Sequence, residues 1–318
     1  MPHRDGFQNS LSFTISLCLV FTIAVAAARF WIRRGSYGID DAIIAFGTVT
    51  SLVRTGLNYS ALQLGMGQPA QSFSTGEALT NLNDLSFASM IMFLVSLYTT
   101  KCATIAFLSR VTSSTEWTLL YHVFSGIIGF VGLSSVLLAT VGCTASSGFY
   151  WNVYGNLHSC PAQGIRWQVI TGLDVCTEVL ILALPVHLVW NLHMRRTKKI
   201  MLTAAFCIRI PVLLLSIGRS MSVAELQQPQ IDVGLQSALV AIWMDVELAI
   251  ALAASTISAL KTFTENFNIG FGLGFTRGRL EQRYDMSERT RPAAKHSEKD
   301  EAIVAVQFEV CDKSSMSC

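Results

Sequence analysis

Seven ionisable residues stand inside long apolar runs of this chain: Asp174, Glu178, Asp245 and Glu247, with Arg54, Lys101 and Arg209. Arg219 follows nearer the end of its run. A charged group deep in a membrane span costs on the order of 2.5–3.5 kcal/mol on insertion scales, so such groups turn to the protein interior and find partners. Asp174 and Glu178 are four apart and share one helix face, where they could bind a ligand, move protons or tie helices together. Asp245 and Glu247 are two apart, roughly 200° around a helix, and must address different partners. The expectation is an interior network joining Lys101 and Arg209 to some of these acids, with Lys101–Glu178 and Arg209–Glu247 as the pairs to test. Catalysis has little support. His158, His187 and His193 form no H-E-x-x-H pair, no serine sits in a G-x-S-x-G elbow, and none of the eight cysteines makes a C-x-x-C pair. A non-enzyme without a metal is expected.

The elements that must carry these groups are helices. Apolar residues reach 51% and charged residues only 14%, against about 25% in an average soluble domain. Mean hydropathy is +0.46. Apolar runs of spanning length recur at 11–30, 40–62, 84–108, 118–142, 167–190, 200–221 and 236–260. The fifth, from Trp167 to Trp190, covers about 36 Å as helix, enough to cross a bilayer. The expected fold is an all-α membrane protein, a seven-transmembrane-helix bundle. Residues 1–10 form the extracellular N-terminus, 11–262 the membrane domain and 263–318 a largely disordered cytoplasmic tail. Net charge is +2, too small to argue for nucleic acid.

Loop charges set the orientation. With the N-terminus outside and the C-terminus cytoplasmic, the inner segments hold Arg29, Arg33, Arg34, Arg110, Arg195, Arg196, Lys198, Lys199, Lys261, Arg277 and Arg279, and the outer ones only Arg4 and Arg166. The first run also resembles a signal peptide, with small residues over 24–28, but its removal would leave Arg33 and Arg34 outside, which favours retention. Cys143 and Cys160 share one outer loop facing an oxidising compartment, so a disulfide is expected between them. Phe149, Tyr150, Trp151 and Tyr154 in that loop cap an outer cavity or, the favoured reading, lie at headgroup level as an aromatic belt. Beyond Lys261 a glycine- and phenylalanine-rich stretch (266–275) is read as skimming the membrane. Val304, Val306, Phe308 and Val310 alternate as a strand would, although an unstructured tail is the favoured reading.

Several motifs recur in a fixed order. Arg29 precedes Gly38-Ile39-Asp40-Asp41; Gly65-Met66-Gly67 follows the second run; Tyr98, Lys101 and Phe107-Leu108-Ser109-Arg110 mark the third. Cys143, Trp151, Cys160, Asp174, Leu182-Ala183-Leu184-Pro185-Val186, Trp190 and the basic cluster after it mark the fifth; Arg219 closes the sixth, and Trp243 and Glu247 mark the seventh. In these motifs the chain resembles the fungal rhodopsin-like domain family, seven-helix membrane proteins of which some are receptor-like and some are encoded in secondary-metabolite gene clusters. Two features depart from that pattern. Gln68-Pro69 stand where the family has a histidine after Gly-x-Gly, and 255–261 replaces a Pro-x-Leu-Arg-Pro ending, removing the usual cause of a sharp kink.

The resemblance implies a receptor-like membrane protein of the plasma membrane or an endomembrane, with a metabolite transporter or an auxiliary protein of a biosynthetic cluster as the alternatives. It does not imply retinal, because Lys261 lies at the cytoplasmic boundary and Lys101 is on the third run. The expected partners are membrane lipid, an unidentified small-molecule ligand, and a cytoplasmic signalling protein at Arg195, Arg196, Lys198, Lys199 and the tail.

Overall fold

A computed structural model describes residues 7–34, 37–69, 76–111, 115–143, 150–152, 160, 162–191, 207–228 and 232–267. These residues form seven helices and no strand: α1 (Gln8–Ile32), α2 (Ile39–Gln63), α3 (Gly76–Val111), α4 (Thr115–Thr140), α5 (Gln163–Asn191), α6 (Ile210–Glu225) and α7 (Val233–Phe267). Met1–Thr262 is one compact unit; of the second, Phe263–Cys318, only the last residues of α7 are described. Each expected run falls on its own helix. Val141 and Gly142 lie past the end of α4, and 200–206 fall outside the described residues. Also outside them are the basic cluster at Arg195, Arg196, Lys198 and Lys199, the stretch 268–275 and the valine-rich tail.

Five of the described helices are long and apolar enough to cross a membrane: α1, α3, α4, α5 and α7. The described part of α6 is 16 residues, and α2 carries Asp40, Asp41 and Arg54, which find partners inside the bundle. Consecutive helices pack side by side from α1 to α6, and α3 also touches α5. Burial ranks them. The apolar windows of α7 and α3 are 72% and 67% buried, while those of α1 and α4 are only 17% and 22%. So α3 and α7 form the centre, while α1 and α4 present Phe13, Val20, Trp31, Leu119 and Phe130 outward, as lipid-facing helices do.

Polar contacts join the helices where apolar side chains gain nothing over lipid. Ser16 on α1 meets Tyr59 on α2 (2.7 Å), Ser96 on α3 donates to the Gly47 carbonyl of α2 (2.7 Å), and Tyr98 on α3 meets Ser135 on α4 (2.9 Å). The Gly65-Met66-Gly67 turn after α2 has a local cause. Gly65 and Gly67 take φ of +104° and +89°, which favour glycine, and a Cβ on Gly67 would press on the backbone of Gln8.

One end of the bundle is closed by the Cys143–Cys160 disulfide. Behind it, Tyr150 stacks edge-on against Trp151 (5.1 Å) and Phe87 (5.5 Å), and Trp151 meets Trp167 (5.4 Å). This corrects the aromatic-belt reading for the two loop residues described. Tyr150 and Trp151 are buried, the Gln163 side chain donates to the Tyr150 carbonyl (2.8 Å), and the Trp167 indole donates to the Tyr150 hydroxyl (3.3 Å). An indole and a phenol this well bonded are core, not interface anchors. Burial pushes the Tyr150 phenol well above its ordinary value, so it stays protonated. Phe149 and Tyr154 lie outside the described residues. Arg166 reaches back to the carbonyls of Leu138 and Val141 and satisfies the end of α4.

Candidate functional site

The centre of the bundle holds six charges in alternating order, supplied by four helices. Arg209, just before α6, donates to Glu178 of α5 (2.8 Å). Lys101 of α3 lies 3.3 Å from the other oxygen of Glu178 and bonds Asp174 of α5 at 2.6 Å. Arg219 of α6 bonds Asp174 (3.0 Å) and Glu247 of α7 (2.7 Å). Every one of these side chains is at most 1% exposed. The order along the chain of contacts is Arg209, Glu178, Lys101, Asp174, Arg219, Glu247, so each interior member touches two opposite charges. That geometry is what a buried ion pair needs to repay the loss of hydration.

Hydroxyls complete the set. The Lys101 ammonium has three N–H donors, and it spends them on the Asp174 carbonyl (2.7 Å), the Asp174 carboxylate (2.6 Å) and Thr177 (2.8 Å). Glu178 therefore holds Lys101 by charge alone and takes its hydrogen bond from Arg209. Arg209 also bonds Thr104 of α3 and Ser255 of α7 (2.7 Å). Ser216 of α6 sits between Asp174 (2.5 Å) and Glu247 (2.6 Å).

A second pair flanks the first. Arg54 of α2 bonds Asp245 of α7, and Asn58 donates to both oxygens of that carboxylate (3.3 and 3.1 Å) while accepting from Ser89 of α3 (2.6 Å). The Arg54 and Arg219 guanidiniums lie 5.4 and 5.2 Å from the centre of the same ring, Phe93, which is fully buried. Phe93 thus links the two networks without a hydrogen bond.

At the opposite end from the disulfide, Asp40 and Asp41 open α2 within a cluster of arginines. Arg29 bonds both acids (3.0 and 2.8 Å), Arg33 bonds both, and Arg110 of α3 reaches Asp40 (3.1 Å). Asp41 also accepts the Gly38 N–H (3.0 Å), a carboxylate at the first turn where the helix dipole favours it. Burial opposes the charge on Arg33, but hydrogen bonds to Asp41 and Asp40 more than offset it and raise its pKa above the ordinary value. Arg29 further donates to the Ser255 carbonyl (3.2 Å), which joins this cluster to α7.

Lys101, Asp174, Glu178, Arg209 and Glu247 are thus brought together, and Asp245 is held apart with Arg54. The pairing of Arg209 with Glu247 is corrected: Arg209 goes to Glu178, and Glu247 to Arg219. Arg219, left outside the expected network, joins it and is fully buried. A periodic signal was present, because Arg209, Val212, Ser216, Arg219 and Val223 recur at helical spacing and all are buried. Trp243 packs over Gly218, where a Cβ would lie 2.9 Å from the indole. The side chains of Pro185 and Trp190 lie outside the described residues. The Lys101 nitrogen, on α3, is held by three acceptors of α5. No group of three or more metal-ligating residues is present among the described residues.

Residues 11–266 match the family model described as the fungal rhodopsin domain. Among curated proteins, none matches the chain.

Proposed function

The chain belongs to the fungal rhodopsin domain family and is an integral membrane protein, and from that premise we propose a receptor-like role without covalent chemistry. The observation that carries this reading is the alternating charge chain across α3, α5, α6 and α7. Such a chain re-pairs in discrete steps rather than sliding, so it favours a bundle with two packings that a ligand binds unequally. Every described acid of the core is paired with a cation inside the bundle, which supports a role without covalent chemistry. The saturated Lys101 supports function without retinal. In this reading the N-terminus and the disulfide face outward and the Asp40–Arg110 end faces the cytoplasm. A signalling partner engages that end through Arg195, Arg196, Lys198, Lys199 and the tail, the ligand is a small molecule, and the protein serves a secondary-metabolite cluster.

Deleting the gene and measuring metabolites inside and outside the cell tests this. The receptor reading expects an altered response to an external cue with export unchanged. Accumulation inside with loss outside refutes it in favour of a transporter, and no change in either refutes it in favour of an auxiliary role.

A further inference from the structure

The Ser216 hydroxyl has one hydrogen and two carboxylate neighbours. It lies 2.5 Å from Asp174 Oδ2 and 2.6 Å from Glu247 Oε1. Both separations are within O–H···O hydrogen-bond distance. The one hydroxyl hydrogen can be donated at full strength to only one of the two carboxylates, and an ionised carboxylate supplies none for the other contact. We propose that Asp174, Ser216 and Glu247 form a proton-binding site, in which one exchangeable proton is held on the acid pair and donated through the serine.

The neighbours place that proton on Glu247. Asp174 faces two cations, Lys101 of α3 and Arg219 of α6, at 2.6 and 3.0 Å. Glu247 is paired with one cation, Arg219, at 2.7 Å through Oε2 and 3.5 Å through Oε1, so Ser216 is the nearer partner of Oε1. The arrangement is then a relay: the Glu247 Oε1–H donates to Ser216 Oγ, whose own hydrogen goes to Asp174 Oδ2. Donors and acceptors in series reinforce one another. The remaining charged and titratable groups around it are Tyr98 of α3, Arg54 of α2, Asp245 on α7 itself, and Glu178, which Lys101 screens from Asp174. Two opposing effects meet here. With the proton bound, every hydrogen bond at Ser216 is made, but the described core carries four cations and three anions. With it released, the charges balance, but two carboxylate oxygens no more than about 5 Å apart compete for one hydroxyl hydrogen. Neither state is without cost, which is the condition for a proton to be taken up and given back.

Infrared absorption of the purified protein at neutral pH tests the site. A protonated carboxyl has a carbonyl stretch above the amide region that shifts down in D2O, and carboxylates have none there. The wild type is expected to show one such band. Carbon-13 labelling of glutamate side chains should shift the band without touching the fold, and Glu247→Gln should abolish it, while Asp245→Asn and Glu178→Gln leave it in place. A wild type without the band overturns the proposal, as does a band that glutamate labelling leaves unmoved or that survives in folded Glu247→Gln.

Discussion

Lys101→Met is the sharpest perturbation of the core. Methionine keeps most of the volume and removes the charge, leaving Asp174 and Glu178 without the ammonium 2.6 and 3.3 Å away. Removing one partner of a buried pair costs about 3–5 kcal/mol, because the other charge stays buried. At about 2–4 °C per kcal/mol for a domain of comparable size, the melting midpoint should fall by roughly 6–20 °C. The order of the chain then dictates which second substitution rescues it. Adding Asp174→Asn leaves two intact pairs, Arg209–Glu178 and Arg219–Glu247. Adding Glu178→Gln leaves Arg209 with two hydroxyls and the Thr100 carbonyl but no acid, since Glu178 is its acid. Lys101→Met/Asp174→Asn should therefore recover part of the loss, and Lys101→Met/Glu178→Gln should not. Arg110→Ala is the contrast: its side chain is 41% exposed and Asp40 keeps Arg29 and Arg33, so solvent screening limits the loss to at most ~1 kcal/mol. Size-exclusion of a fluorescent fusion after heating in detergent reads all four midpoints. Equal midpoints for the two double variants would refute the alternating chain.

Replacing Cys143 or Cys160 by serine opens a 17-residue loop and should cost about 3 kcal/mol in the chain-entropy picture, seen as a lower midpoint that matches the reduced wild type. Gly218→Leu drives a side chain into the Trp243 indole and should destabilise by about 1–3 kcal/mol, whereas Gly172→Ala meets nothing within 4 Å and should be neutral or stabilising on the same assay. Asn58→Ala strips two hydrogen bonds from Asp245 and one from Ser89, so it should cost about 1–3 kcal/mol and more than Ser89→Ala; a smaller loss for Asn58→Ala would contradict the bonding described.

The number of helices was legible because apolar length is a one-dimensional property: each run of 20 or more residues became a helix or, at 200–206, runs beyond the described part. The disulfide was legible for a similar reason, two cysteines in one loop. Pairing was not. Glu178 and Glu247 present the same chemistry to Arg209, and only the rotation and depth of α5, α6 and α7 decide between them. Arg219 was left out of the expected network because it lies near the end of its run, when its spacing with Arg209, Val212, Ser216 and Val223 already marked an interior stripe. Tyr150 and Trp151 were misread because composition cannot tell a loop that lies on lipid from one folded under its own disulfide. The arginines at 29, 33 and 110 were counted as orientation signals, and their second role on Asp40 and Asp41 depends on three helix ends meeting.

One residue ties the core charge chain to the Asp40 cluster: Ser255, in the later half of α7. Its hydroxyl bonds Arg209 (2.7 Å) and meets Thr104 (3.1 Å), while also turning to the Thr100 carbonyl (3.3 Å) and its own helix at Ala251 (2.9 Å). Its carbonyl accepts from Arg29, which holds Asp40 and Asp41. Any rotation of α7 that breaks Ser255 from Arg209 also moves the acceptor of Arg29. The core charge chain and the Asp40 cluster are therefore mechanically one system. A change of pairing at Glu178 that displaced Ser255 would be felt at the ends of α1, α2 and α3.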